Sequence, residues 1–281
     1  MGLMTLRRSL VALLLPLALC SATVHSEDLA TCANRAEPLS SYIAAPLLIL
    51  GEIHGTEETP SLAGAQACAL IRSGRKVLLA LEIPNDEQDR IDAFLASGGA
   101  PADLQNLLAG PHWRRAPEQQ DGRSSEAMLR LIQLARQLAS KPGTLSLLAF
   151  DQWRGDAPRD VSMARNIEAA RKRLPGYSTL VLVGNLHAMR SQHTPFDPPV
   201  EPMAYHLRAQ HARSIDVVPA SGQSWFCRDT CGVHDLTRVP VPMAAGADFK
   251  LDLSLTPDFD GTLLLRKARA SPPAIQRIDG R

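Results

Sequence analysis

The sequence lacks the short loops that mark several common enzyme classes. It contains no Gly-x-Ser-x-Gly elbow, so a serine nucleophile of the α/β-hydrolase kind is not indicated. No Walker loop and no Gly-x-Gly-x-x-Gly follows the first predicted strand, so neither a nucleotide phosphate cradle nor a dinucleotide fingerprint is indicated. If the protein is a hydrolase, we therefore expect water as the nucleophile, activated by a histidine or a metal ion.

Long apolar runs and basic runs are also missing. The apolar stretch Leu10–Cys20 is shorter than the about 20 residues that a membrane-spanning helix needs, so no transmembrane segment is predicted. Arg7 and Arg8 precede this stretch and small residues follow it at 24–26, which is typical of an export signal over residues 1–26. Because no basic run interrupts the remainder, nucleic acid and anionic membrane surfaces are not expected partners.

The export signal places the protein in the periplasm or outside the cell. Its removal leaves residues 27–281, which suit a single α/β domain, and loss of the two arginines changes the net charge from +1 to −1. Lipid anchoring at Cys20 is disfavoured, because Leu19 stands where a lipoprotein signal has a small residue.

Four of the five cysteines lie beyond the signal, at positions 32, 68, 227 and 231. An even count in an exported protein indicates two disulfides, with three arrangements open. Cys227 and Cys231 form the easiest local bridge, which would leave Cys32 with Cys68. A zinc site at Cys227 and Cys231 is less favoured, because no second pair lies nearby to complete it.

Short apolar segments alternate with helical patterns, which predicts an α/β fold with a mostly parallel sheet flanked by helices. The predicted strands cover about 46–52, 76–82, 144–150, 179–184 and 214–218. The pattern of the segment of about 86–140 predicts a helical insertion after the second strand. This insertion is long enough to cover the strand ends. The segment of about 236–268 predicts an antiparallel C-terminal hairpin, with its turn at Asp260-Gly261.

Four of the predicted strands end in titratable residues. The segments Gly51-Glu52-Ile53-His54 and Gly184-Asn185-Leu186-His187 repeat one pattern, and the two strands between them end at Glu82 and Asp151. The carboxyl ends of parallel strands meet at the edge of a sheet where ligands bind. We therefore expect a catalytic set at this edge, consisting of Glu52, His54, Glu82, Asp151 and His187.

Two further residues are expected at the same edge. Arg159 and Asp160 begin the helix after the third strand, which makes them candidates for binding substrate. The alternative is an ion pair at the start of a helix, where the helix dipole favours the acid.

The residue types leave two chemistries open. A neutral imidazole serves as a base or as a metal ligand, and a carboxylate orients it or binds the metal with it. His54, Glu82 and His187 could therefore activate water directly or hold a divalent metal.

The same motifs resemble a known superfamily. Gly51-Glu52-Ile53-His54-Gly55, Glu82, residues 159–166 and Gly184-Asn185-Leu186-His187-Ala188 are similar to motifs of the superfamily that joins ChaN-like haem-binding lipoproteins, erythromycin esterases and TraB/Tiki proteins. The resemblance covers about residues 46–220 and implies a parallel-sheet fold with its site at the strand ends.

The branches of this superfamily imply different functions. The esterase branch implies ester cleavage by water without a serine, and the Tiki branch implies a metal-dependent protease. The ChaN-like branch implies haem binding through a tyrosine, but Tyr42, Tyr177 and Tyr205 lie in no motif that can be matched. The chain is shorter than typical erythromycin esterases, and no macrolide pocket can be recognised. We therefore predict an exported hydrolase of a small-molecule or peptide substrate, with a haem- or metal-binding protein without catalysis as the alternative.

Overall fold

A seven-stranded sheet forms the centre of the computed structural model, which describes residues 39, 42, 44–141, 143–237 and 243–275. The strands are β1 (Leu47–Glu52), β2 (Lys76–Pro84), β3 (Leu145–Asp151), β4 (Tyr177–Gly184), β5 (Arg213–Pro219), β6 (Gln223–Cys227), β7 (Cys231–Asp235), β8 (Phe249–Asp252) and β9 (Gly261–Leu265). The α-helices are α1 (Glu58–Arg72), α2 (Gln88–Ala96), α3 (Pro101–Leu108), α4 (Glu126–Ala139), α5 (Arg159–Arg173) and α6 (Met203–His206).

The order of strands in the sheet is β3-β2-β4-β1-β5-β9-β8. All neighbours are parallel except β8 and β9, so the predicted α/β class with a mostly parallel sheet is confirmed. Strand β4 lies between β1 and β2, and Glu52 at the end of β1 is in register with Gly184 at the end of β4. The two Gly-x-x-His segments therefore leave the sheet side by side.

Helices cover both faces of the sheet, which explains why the strands consist of nearly continuous apolar residues. All six residues of β1 are buried. Leu48 and Leu50 face a core shared with α1, α2 and α4, whereas Leu47 and Ile49 face a core shared with α5 and α6. Each of these aliphatic side chains stabilises the fold by about 1.5–3 kcal/mol relative to an exposed position.

The helical insertion is formed by α2, α3 and α4, with a short 3-10 turn between α3 and α4 at Pro117–Gln119. The C-terminal hairpin is β8 paired with β9, but its predicted turn at Asp260-Gly261 is wrong, because residues 253–260 form a longer connection. Strand β9 also pairs with β5, which joins the hairpin to the main sheet.

A second hairpin, β6 paired with β7, was not predicted and forms a small sheet of its own. The predicted disulfide between Cys227 and Cys231 lies at the end of this hairpin. Cys68 is fully buried in α1, while Cys32 and the export signal lie outside the described residues, so the pairing of Cys32 with Cys68 and the cleavage after residue 26 stay predictions. Within the described ranges no helix is long and apolar enough to cross a membrane.

Candidate active site

The carboxyl ends of the central strands surround a cleft of about 380 Å³. It is lined by Glu52, Ile53, His54, Glu82, Asp121, Arg123, Trp153, Arg159, Gly184, Asn185, Leu186, His187, Phe226 and Cys227. The structure thus brings together five of the seven site residues expected from the sequence. The other two, Asp151 and Asp160, lie directly behind the lining.

His54 is held between two buried carboxylates. Its Nδ1 lies 2.9 Å from Glu52 Oε1, and its Nε2 lies 3.3 Å from Glu82 Oε2. The approach to Nε2 depends on glycine at position 184, because a Cβ there would lie 2.9 Å from that nitrogen. The first strand therefore supplies both the histidine and one of its partners, and β2 supplies the other partner.

Glu82 accepts hydrogen bonds on both of its oxygens. Oε1 accepts from Arg159 Nη2 at 2.6 Å and from Arg123 Nη1 at 3.3 Å, and Oε2 accepts from the Gly184 amide at 2.7 Å. Burial raises the pKa of the Glu82 carboxyl, but the charge of His54, its hydrogen bond to Glu82 and the charge of Arg123 lower it to well below its usual range. Glu82 is therefore a permanent carboxylate that anchors its neighbours.

The buried carboxylates determine the charge of His54. Burial lowers the pKa of this imidazole, but the charge of Glu82 and the hydrogen bonds with Glu52 and Glu82 outweigh it and raise the pKa to about 10. Burial also raises the pKa of Glu52, whose Oε2 is buried and has no hydrogen-bond partner among the described residues. At neutral pH, His54 is therefore an imidazolium, which cannot accept a proton.

His187 has different partners. Its Nδ1 lies 2.7 Å from Asp160 Oδ1, and its Nε2 lies 2.8 Å from Arg159 Nη1. A guanidinium can only donate hydrogen bonds, so Nε2 carries the lone pair and Nδ1 carries the proton. Asp160 also accepts from the Met203 amide at 2.7 Å and lies in the first turn of α5, where the helix dipole favours its charge. This contact assigns His187 as a neutral imidazole with its basic nitrogen toward the cleft.

Asp151 organises the two arginines from behind. It is fully buried, and Arg159 donates to it from Nε at 2.8 Å and from Nη2 at 3.0 Å, while Arg123 donates from Nη1 at 3.0 Å. Such two-pronged contacts fix the plane of a guanidinium. Arg159 is therefore bound to carboxylates and to His187, which makes it part of the ion network as well as of the cleft wall.

Sequence reasoning missed four charged or aromatic residues of the cleft, namely Asp121, Arg123, Trp153 and Phe226. Arg123 and Asp121 come from the polar stretch 112–123 of the insertion, whose lack of helical period was the available signal. Burial raises the pKa of Asp121, but the hydrogen bond and charge of Arg123 lower it to about 2. Trp153 follows Asp151 by two residues, and no sequence pattern around it indicated a site residue.

His112, in the polar stretch of the insertion, is not part of the cleft. It is buried outside the cleft, where its amide donates to Glu87 Oε1 at 2.8 Å. Burial and the positive charges of Arg123 and Arg115 lower the pKa of its imidazole to about 3.

The cleft does not fit the metal or the haem ligand that the sequence left open. In the part of the chain that the structure describes, no three His, Cys, Asp or Glu residues are arranged to hold a metal ion. The oxygens of Glu82 already accept from two arginines and an amide. No tyrosine lines the cleft within the described ranges, and the Tyr42 and Tyr177 hydroxyls donate to the Asp260 and Gly143 carbonyls.

Comparisons with known proteins bear on the fold. No protein-family model and no curated protein matches the sequence. A solved structure of a Bacillus cereus protein is similar at a TM-score of 0.62 and 12% identity, covering 84% of this chain and 92% of that one. A succinoglycan biosynthesis protein is similar at 0.57 and 11% identity, covering 89% and 98%.

A mutant of the erythromycin esterase EreC, in its open conformation, is similar at a TM-score of 0.54 and 11% identity, covering 83% of this chain and 93% of that one. At such identities the likeness concerns the fold alone. The chain thus has an α/β fold like that of an erythromycin esterase, with a cleft of two histidines, two arginines and several carboxylates at its strand ends.

Proposed function

We propose that this protein is a hydrolase that cleaves a small-molecule ester with water, using His187 as the base. The observation that carries the proposal is the environment of His187 Nε2. This nitrogen faces the cleft with its lone pair, because Nδ1 is paired with Asp160 and the partner of Nε2 is the donor Arg159. A positioned imidazole of this kind typically accelerates proton transfer by about 10²–10⁴-fold.

In the proposed reaction, the oxygen of a water molecule attacks the ester carbonyl carbon while Nε2 of His187 takes one water proton. The oxyanion that forms is stabilised by the positive charges of His54 and Arg159. Collapse of the tetrahedral intermediate breaks the bond to the alcohol oxygen, which receives the proton from His187. The products are a carboxylic acid and an alcohol, and His187 returns to its neutral form.

This sequence of steps requires one rearrangement. Nε2 has a single lone pair, so it cannot accept from Arg159 and from water at the same time. The contact between Arg159 Nη1 and His187 Nε2 must therefore open as water binds, and because Asp151 and Glu82 hold Nε and Nη2 of the planar guanidinium, the imidazole of His187 has to move away from it. Catalytic hydrogen bonds often take their final geometry only when substrate is bound.

The likeness in fold to an erythromycin esterase supports an ester as the substrate class. A peptide remains the second substrate type, and the predicted export signal would place either reaction in the periplasm or outside the cell. The saturated oxygens of Glu82 favour catalysis without a metal.

The test is a hydrolysis panel of small esters and short peptides, run on residues 27–281 with and without a chelator. We expect ester cleavage that survives chelation and falls at least about 100-fold in His187→Ala. His193→Ala, which changes an exposed histidine, is the matched control and should keep wild-type activity. Near-wild-type turnover in His187→Ala would contradict the proposal. A stoichiometric Soret shift with haemin, without any hydrolysis, would favour the haem-binding alternative.

A further inference from the structure

Trp153 is the most accessible large ring in the cleft. It is 61% exposed and lines the cleft, whereas Trp113 in the core is fully buried. Exposure of this size normally accompanies a mobile side chain, but the indole of Trp153 is fixed at two points. Its Nε1 donates to Asp151 Oδ2 at 2.8 Å, and its ring centre lies 4.1 Å from the guanidinium carbon of Arg159.

A second ring reaches the cleft from the disulfide hairpin. Phe226 on β6 lines the cleft next to Cys227. The hairpin is tied to the site, because the Trp225 amide donates to the Gly55 carbonyl at 3.0 Å and the Ser224 hydroxyl donates to the carbonyl of His54. The Trp225 indole also donates to the Gln120 carbonyl at 2.8 Å, which fixes the insertion to the same hairpin. Both rings are thus attached to the framework that holds the histidines.

The charged groups of the cleft are committed to one another. Arg123 uses Nε and Nη2 on Asp121 and Nη1 on Glu82 and Asp151. Arg159 is bound to Asp151, Glu82 and His187, so neither guanidinium offers an unused pair of donors to a carboxylate or phosphate. The carboxylates of Glu52, Glu82, Asp121, Asp151 and Asp160 outnumber the cations of His54, Arg123 and Arg159, which disfavours an anionic ligand.

A cationic ligand is disfavoured at the rings for a different reason. The guanidinium of Arg159 already lies on Trp153, and that of Arg123 lies 5.6 Å from the same ring centre. A second cation against this indole would meet two like charges at short range. An uncharged planar group avoids both penalties and gains the stacking energy of an aromatic pair.

We propose that Trp153 and Phe226 form a subsite for an uncharged aryl group, so that the substrate of the hydrolase is a neutral aryl ester. The choice of an ester rests on the proposed function, whereas the aryl subsite follows from the two rings and the charges around them. Trp153 selects the substrate through its exposed ring, and Asp151 positions that ring by holding its indole nitrogen.

The direct test measures binding without catalysis. 2-Acetylnaphthalene is an uncharged aryl ketone without an ester bond to cleave, and 2-naphthoate is a matched anion. Isothermal titration calorimetry on residues 27–281 should show binding of the ketone that is about five- to tenfold weaker in Trp153→Ala. Trp153→Phe, which keeps a ring, should recover most of that loss. Naphthoate should bind more weakly than the ketone to the wild-type protein.

Phe196→Ala is the matched control, because Phe196 is a similarly exposed ring, at 53%, that does not line the cleft. Its affinity for the ketone should equal that of the wild type. Equal affinity in Trp153→Ala, an equal loss in Phe196→Ala, or tighter binding of naphthoate than of the ketone would each overturn the proposal.

A second measurement separates this proposal from the proposed function. With 2-naphthyl acetate and ethyl acetate as paired substrates, Trp153→Ala should raise KM for the naphthyl ester about five- to tenfold more than KM for ethyl acetate. Ketone binding that depends on Trp153 without hydrolysis of any ester would support the subsite and contradict the esterase. Hydrolysis of both esters that is indifferent to Trp153→Ala would support the esterase and contradict the subsite.

Discussion

His54 and His187 both stand three residues after a glycine at the end of a parallel strand, and their strands are neighbours in the sheet. The groups that face them are different. His54 lies between the buried carboxylates of Glu52 and Glu82, whereas His187 lies between Asp160 and the guanidinium of Arg159. Two carboxylates stabilise an imidazolium, while a guanidinium at one ring nitrogen excludes it.

The comparison shows that the strand end fixes only the place of each histidine. Its protonation state depends on elements that arrive from elsewhere in the chain, namely β2 with Glu82 and the first turn of α5 with Arg159 and Asp160. One short motif thereby yields a positive charge on one side of the cleft and a proton acceptor on the other. Enzymes commonly separate acid and base functions in this way, because different environments give two similar titratable groups different pKa values.

The largest expected effect comes from removing the base. His187→Ala should lower kcat/KM for ester hydrolysis by about 10²–10⁴-fold, and His54→Ala should lower it as well. Because both histidines act on one transition state, the double mutant should be little slower than His187→Ala alone. Steady-state kinetics on the four proteins measures this. If the loss in the double mutant equalled the product of the two single-mutant losses, the two histidines would act independently. That result would contradict their proposed action on one transition state.

The next largest effect is expected at Glu82, which contacts both His54 and Arg159. Glu82→Gln keeps the shape of the side chain but removes a buried ion partner that His54, Arg123 and Arg159 share. We expect the free energy of unfolding to fall by about 3–5 kcal/mol. Glu118→Gln, which makes the same change at an exposed position, should alter it by less than about 0.5 kcal/mol. Urea denaturation compares the two, and equal stabilities would show that Glu82 does not anchor the network.

The pH dependence of His54 gives a finer test. Its pKa is raised from 6.5 in the free side chain to about 10 in the folded protein. A raised pKa stabilises the fold fully below pH 6.5, and that stabilisation is lost as the pH rises toward 10. Ring nitrogen NMR at pH 8 should therefore show His54 protonated at both nitrogens. In Glu82→Gln its deprotonation should move to lower pH, because the charge of Glu82 is the largest cause that raises it; an unchanged midpoint would contradict this cause.

The sheet and the histidine positions were predictable because they depend on local patterns. Continuous apolar strands such as β1 and β4 require a sheet buried on both faces, and the residues that follow them must emerge at one edge. The positions of Glu82 and Asp151 at this edge were predictable from the same rule. Such predictions need no knowledge of which strands are neighbours.

The contacts between distant segments were not predictable. Arg123 reaches Glu82 across 41 positions in the sequence, and Ser224 reaches His54 across 170. Neither Arg123 nor Ser224 belongs to a periodic pattern. Their positions in the fold therefore depend on how the insertion and the β6–β7 hairpin pack. The charge of His54 and the neutrality of His187 are consequences of such contacts, which is why the sequence left their roles interchangeable.

The smallest expected effect concerns the hairpin that borders His54 and has no counterpart beside His187. Cys227→Ser combined with Cys231→Ser removes a disulfide that closes a very short loop, so we expect a loss of about 2 kcal/mol in the free energy of unfolding. Urea denaturation compares the double mutant with the wild type, both with and without reductant. If Cys32 and Cys68 also pair, reductant should further destabilise the double mutant, whereas without that pair it should have no additional effect. A double mutant as stable as the wild type would show that the hydrogen bonds of Ser224 and Trp225 hold the hairpin without the disulfide.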